Sequence, residues 1–181
     1  MQILSLRKRT PWLIIIVATL ICLIVLNLAF IWVNSSKESK ASDGDSKRIA
    51  QKVAEKAVKD YDKLGKVQKE KKIEKINEKI RETAHFVEFI PLGLLIFLLM
   101  FTLFAPTDKK TLVYFLTVSL VTLGLCALFA LGDEYHQKFV EGRSFQKEDI
   151  LTDTLGSCLG MCISLLSVVF YYIKKKISAT K

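Results

Sequence analysis

Three stretches of this chain contain no Asp, Glu, Lys, Arg or His: the 23 residues from Pro11 to Val33, the 22 from Thr111 to Gly132 and the 19 from Leu155 to Ile173. A fourth, Phe86 to Ala105, carries a single charge, Glu88. Apolar runs of about 18 or more residues are long enough to cross the roughly 30 Å hydrocarbon core of a bilayer as helices. Unpaired amides in lipid cost several kcal/mol each, so spanning segments of this length must be helical. Four such runs exclude an ordinary soluble domain. The expected fold class is all-α: an integral membrane four-helix bundle with an extracytoplasmic charged helical insertion between spans one and two. The organisation predicted is a basic segment and first span over 1–34, a charged tether and stalk over 35–83, a three-helix core over 84–173 and a basic tail over 174–181.

The first run is longer than the about 7–15 residues of a signal-peptide core, and Phe30-Ile31-Trp32-Val33-Asn34 has no small-x-small cleavage pattern. It reads as an uncleaved anchor with an interfacial tryptophan at each end, Trp12 and Trp32. All four cysteines, Cys22, Cys126, Cys158 and Cys162, fall inside spans, where they behave as small apolar residues and say little about redox compartment. Cys158 and Cys162 are four apart beside Gly156 and Gly160, which favours helix packing over a metal pair.

Charge placement sets the expected orientation. Arg7, Lys8 and Arg9 precede span one, Lys109 and Lys110 join spans two and three, and Lys174, Lys175 and Lys176 follow span four. The three clusters share one side, and the positive-inside rule makes it the cytoplasm. Both termini are then cytoplasmic, with residues 35–83 and 133–150 extracytoplasmic. The connection from Asn34 to Ala84 opposes this with 15 Lys or Arg against 10 Asp or Glu, but long segments translocate despite their charge. Asn34–Ser46 reads as a flexible tether. Lys47–Thr83 shows helical stripes, Ile49, Val53, Ala57, Tyr61 and Leu64, then Ile73, Ile76 and Ile80, broken near Gly65. Such stripes suit a solvated stalk or a helix that binds a partner or a second copy. Basic and acidic residues are interleaved and only one Tyr accompanies them, so no nucleic-acid partner is expected.

The informative charges are those at the span ends. An Asp near a span centre costs roughly 2.5–3.5 kcal/mol, less toward the ends. Glu88 begins span two, Asp133 and Glu134 end span three, and Asp153 begins span four, with the only two histidines, His85 and His136, beside them. Connectivity brings these termini to one membrane face whichever way the chain is oriented. His85, Glu88, Asp133, Glu134, His136, Gln137, Asp149 and Asp153 are therefore the candidate acid–base residues, with Arg143 and Arg81 as anion contacts. A divalent metal is permitted but not required, and an enzyme is not distinguished from a binding protein: no HExxH and no nucleophile triad is present. The structural alternative is a polar network that only closes the bundle. Pro91 removes a backbone bond near Glu88 and predicts a kink.

These residues carry a resemblance. Arg81-Glu82-Thr83-Ala84-His85-Phe86-Val87-Glu88-Phe89-Ile90-Pro91-Leu92-Gly93 resembles the K/R…HF.EY..LG opening of VanZ-like membrane proteins. Asp133-Glu134-Tyr135-His136-Gln137-Lys138-Phe139-Val140-Glu141-Gly142-Arg143, then Asp149, Asp153, Gly156 and Gly160, resembles that family's second motif, in the same order. Together they cover residues of about 81 to 162. Phe89 stands where the family often has Tyr, Pro91 where it has an ordinary helix former, and the insertion Ser35–Thr83 is not explained by the resemblance. What the family implies is a multi-pass protein of the Gram-positive cell membrane contributing to resistance to glycopeptides of the teicoplanin type. No reaction is implied. The expected partners are the bilayer and a lipid-linked cell-wall precursor or the lipoglycopeptide itself, with a homo-oligomer formed through the outer helix or the Gly156/Gly160 face.

Overall fold

The computed structural model describes residues 11–36, 39–104, 111–141 and 143–178. The clusters Arg7–Arg9 and Lys109–Lys110, with Gly142 of the second motif, lie outside the described residues. The elements run α1 (Pro11–Ser35), α2 (Ser39–Ala57), a short 3-10 turn (Tyr61–Lys63), α3 (Lys66–Leu103), α4 (Thr111–Gln137) and α5 (Lys147–Ser178), with no strand among the described residues. α1, α3, α4 and α5 are each long and apolar enough to span a bilayer. Their outer surfaces are apolar: Ile14, Val25, Leu26, Leu120, Leu128, Leu166 and Phe170 are all exposed. In water that surface would be untenable, and in lipid it is the solvated face. The chain is an all-α membrane bundle, as its apolar runs require.

α3 and α5 form the closest pair. A Cβ at Gly156 would collide with the Phe86 carbonyl, one at Gly160 with the Ile90 carbonyl, and one at Gly93 with the backbone of Ser157. Two backbones meet at that distance only where side chains are missing, the usual device for association where lipid removes the hydrophobic drive. Ser157 and Ser164 of α5 then donate to the carbonyls of Phe89 (3.3 Å) and Leu94 (3.1 Å) on α3. The Gly156/Gly160 face is thus consumed within the chain, which corrects the expectation that it serves a second copy. Phe89, Leu92, Ile96, Cys126 and Ala130 form one apolar cluster with Ile24 and Ile31 of α1. Phe97, Val118 and Met161 form another, against which Cys158 and Cys162 pack.

The insertion is more ordered than a tether and stalk. α2 starts at Ser39, not after Ser46, and folds back on α3, with Ala50, Ala54 and Asn77 fully buried between them. Once Ala50 and Ala54 dock, extending the helix upstream adds one hydrogen bond per residue fixed, which offsets the cost of Gly44. The turn is made at Asp60, in left-handed backbone (φ 55°), and α3 restarts after Gly65. No boundary falls at residue 83: α3 is one helix of 38 residues, continuous through Pro91. Nothing between Lys66 and His85 is a Gly or Pro, so a good helix former simply runs on into the span. The basic tail likewise begins as helix, since α5 reaches Ser178.

Candidate functional site

The C-terminal ends of α1 and α4 and the N-terminal end of α5 meet the middle of α3 at one end of the bundle. Trp32, half exposed there, stacks on His136 with ring centroids 3.9 Å apart. The site is built around four acids. Glu88 accepts from Asn34 Nδ2 at 2.9 Å, while Asn27, two turns back along α1, reaches the Glu88 carbonyl at 3.4 Å. Asp133 Oδ2 accepts from Ser35 Oγ (2.7 Å) and Gln137 Nε2 (2.8 Å), and Gln137 Oε1 in turn accepts from Arg143 (2.8 Å). Glu134 Oε2 accepts from the Gln146 amide at 2.8 Å, holding the loop that starts α5. Asp153, wholly buried, lies 3.5 Å from His85 Nδ1 through its Oδ1.

The acids expected to share a face do share it. Asp133, Glu134, Gln137 and Asp153 are buried, His85, Glu88, Arg143 and Asp149 half-buried. His136 is held to one side, bonded to Ser36 Oγ (3.0 Å) and stacked on Trp32, at the rim of the network. Arg81, one turn before His85, lines the same cleft as Asn34, Ser35, His85, Glu88 and Arg143, a space of about 180 Å³. Burial and the neighbouring Arg81 push the Arg143 guanidinium below its ordinary value, and Asp133, Glu134 and Asp149 oppose them. A guanidinium starts so high that it stays charged at neutral pH. The cleft therefore holds two fixed cations above a layer of acids.

Of the groups that could hold a metal, His85, Asp133 and Asp153 stand out: one donor atom from each lies within 4.8 Å of the others. Glu88, which lines the same cleft as His85, is tied to Asn34. Sequence reasoning missed the contribution of α1. Asn27, Asn34, Ser35 and Ser36 supply partners to Glu88, Asp133 and His136, so the first span is part of the site. A signal was present: Asn27 and Asn34 are seven apart, on one helical face of an otherwise apolar run, and two serines follow.

Known proteins place this arrangement. A family model described as VanZ/LLP1 matches residues 13–170, which extends the resemblance of residues 81–162 across the first span and the insertion to most of the chain. No curated protein and no solved structure matches.

Proposed function

The chain belongs to the VanZ/LLP1 family, a membrane family associated with glycopeptide resistance, and from that premise we propose that its cleft binds the anionic headgroup of a lipid-linked cell-wall precursor. The observation that supports this reading is the pair Arg81 and Arg143 in one cleft at a bundle end, lined on α1 by Asn34 and Ser35, two and three residues after Trp32. Guanidinium groups match phosphate bidentately, and a site at the depth of an interfacial tryptophan meets lipid headgroups without dragging them into the core. Size favours the precursor over the antibiotic: about 180 Å³ is below the roughly 300–1,000 Å³ of pockets that enclose drug-sized ligands. In this reading the site end is extracytoplasmic, both termini are cytoplasmic, and occupancy of the precursor lowers access of teicoplanin-type lipoglycopeptides to it. His85 and Glu88 line the same cleft and in this reading are its acid–base candidates.

The test is protection against teicoplanin in cells expressing Arg81→Gln or Arg143→Gln at unchanged membrane abundance. Each variant returns sensitivity to that of cells lacking the protein, and Arg143→Lys keeps part of the protection. Full protection by both Gln variants excludes the cleft.

A second reading, an envelope scaffold, is favoured by the groove between α2 and α3, about 820 Å³, where Val53, Val58, Ile76 and Ile80 alternate with Lys72, Lys75 and Lys79. Its occupant is an envelope protein presenting an apolar, acidic helix face. Under this reading Val53→Lys with Ile76→Lys abolishes protection while the arginine variants are tolerated, the reverse of the first result.

A further inference from the structure

On Asp133 and Asp153, three buried polar atoms have no hydrogen-bond partner among the described residues: Asp133 Oδ1 and both carboxylate oxygens of Asp153. His85 Nδ1, facing Asp153, is a fourth. Asp153 is 0 % exposed and Asp133 5 %. An orphaned buried polar atom costs about 1–3 kcal/mol, more when charged, so four together demand an explanation. A simple His–Asp pair does not supply it. The 3.5 Å separation is long beside the about 2.7–2.9 Å of a charge-assisted hydrogen bond, and a pair would leave Asp153 Oδ2 and Asp133 Oδ1 untouched.

A cation supplies it in one step. With bonds of about 2.1 Å, two ligands of a tetrahedral ion stand about 3.4 Å apart. The His85–Asp153 edge already has that length, and the remaining donors, all within 4.8 Å, close by at most about 1.4 Å. Metal-binding carboxylates are normally oriented by hydrogen bonds on their other oxygen. Asp133 has that arrangement: Ser35 and Gln137 both hold Oδ2, and Oδ1 is left buried without a hydrogen-bond partner among the described residues.

We propose that His85, Asp133 and Asp153 form a binding site for one divalent transition-metal cation. One imidazole and two carboxylates suit zinc or manganese; thiolate-selecting metals are disfavoured by the absence of sulfur from the set. Three protein ligands leave a coordination position open, and His85 is the ligand that lines the arginine cleft. The site stands apart from the precursor-binding reading, because metal content is measured without any activity.

The experiment uses the untagged full chain in mild detergent, stripped with EDTA, desalted, and titrated separately with Zn²⁺ and Mn²⁺. Bound metal is read by mass spectrometry and stability by thermal melting. The expected result is one equivalent of at least one of the two ions and a melting temperature raised by it. Asp153→Asn and His85→Gln bind at least about 100-fold more weakly, beyond the about 10–100-fold typical of losing an outer partner. Ser35→Ala, which removes only an orienting bond, falls within that smaller range. The Cys158→Ser/Cys162→Ser double variant keeps its equivalent, which excludes the thiols as the source. The proposal is overturned if neither ion is retained by the wild type, or if Asp153→Asn retains as much as the wild type does. An Asp153→Asn chain that melts higher than wild type with no metal bound by either also overturns it, and identifies an acid kept in place at a cost in stability.

Discussion

Gly160→Leu lowers the stability of the bundle by about 3 kcal/mol, the upper end of overpacking penalties, because the new side chain meets the Ile90 carbonyl and not a movable side chain. For a chain of this length that is a fall in melting temperature of about 6–12 °C. Gly124→Leu provides the control. Nothing lies within 4 Å of a Cβ there, and replacing glycine inside a helix gains roughly 0.5–1 kcal/mol in propensity. The two variants, melted side by side in the same detergent, should therefore move in opposite directions. Equal shifts would mean that α3 and α5 do not meet backbone to backbone.

The second large effect is at Asp133. Asp133→Ala removes the acceptor that Ser35 and Gln137 share and loosens the link to Arg143. Two hydrogen bonds to a charged group, each about 1.5–3 kcal/mol, put the loss at roughly 3–6 kcal/mol. Asp133→Asn keeps one oxygen able to accept from both donors, so stripped of metal it should melt near the stripped wild type while losing a carboxylate ligand of the proposed site. The informative result is the split: Ala lowers both metal retention and the stability of the metal-free chain, whereas Asn lowers metal retention and leaves the metal-free melting temperature in place. If Asn destabilises as much as Ala, the negative charge itself, opposite Arg143, is what holds this end of the bundle together, and the hydrogen-bond account fails.

What could be read from the sequence divides along a physical line. Long uncharged runs have one outcome in a bilayer, so the four spans were legible, and connectivity alone brought Glu88, Asp133 and Asp153 to one end. The spacing of Gly156 and Gly160 likewise announced a close approach, though not its partner; whether such a face meets α3 or another molecule depends on tertiary packing that no local pattern encodes. The insertion was misread for the opposite reason. Asn34–Ser46 has the composition of a linker, yet burial of Ala50 and Ala54 against α3 stabilises a helix that starts upstream of them, at Ser39. The role of α1 was overlooked because amides and hydroxyls carry no charge. Asn27, Asn34 and Ser35 matter through the acids they touch, which is visible only once the helices are assembled.

The unbroken run of α3 gives the molecule a mechanical property. From Lys66 to His85 the helix rises about 29 Å, with no glycine or proline to act as a hinge, and α2 is clamped along it by Ala50 and Ala54. The outer hairpin and the second span are in effect one rod, with the turn at Tyr61–Lys63 at its tip and the site near its midpoint. A tilt of the span of about 10° displaces that tip by about 5 Å, given the 1.5 Å rise per residue. A spin label at Leu64 would amplify small movements of His85 and Glu88 into distances that can be read directly, so the insertion doubles as a pointer for the site beneath it.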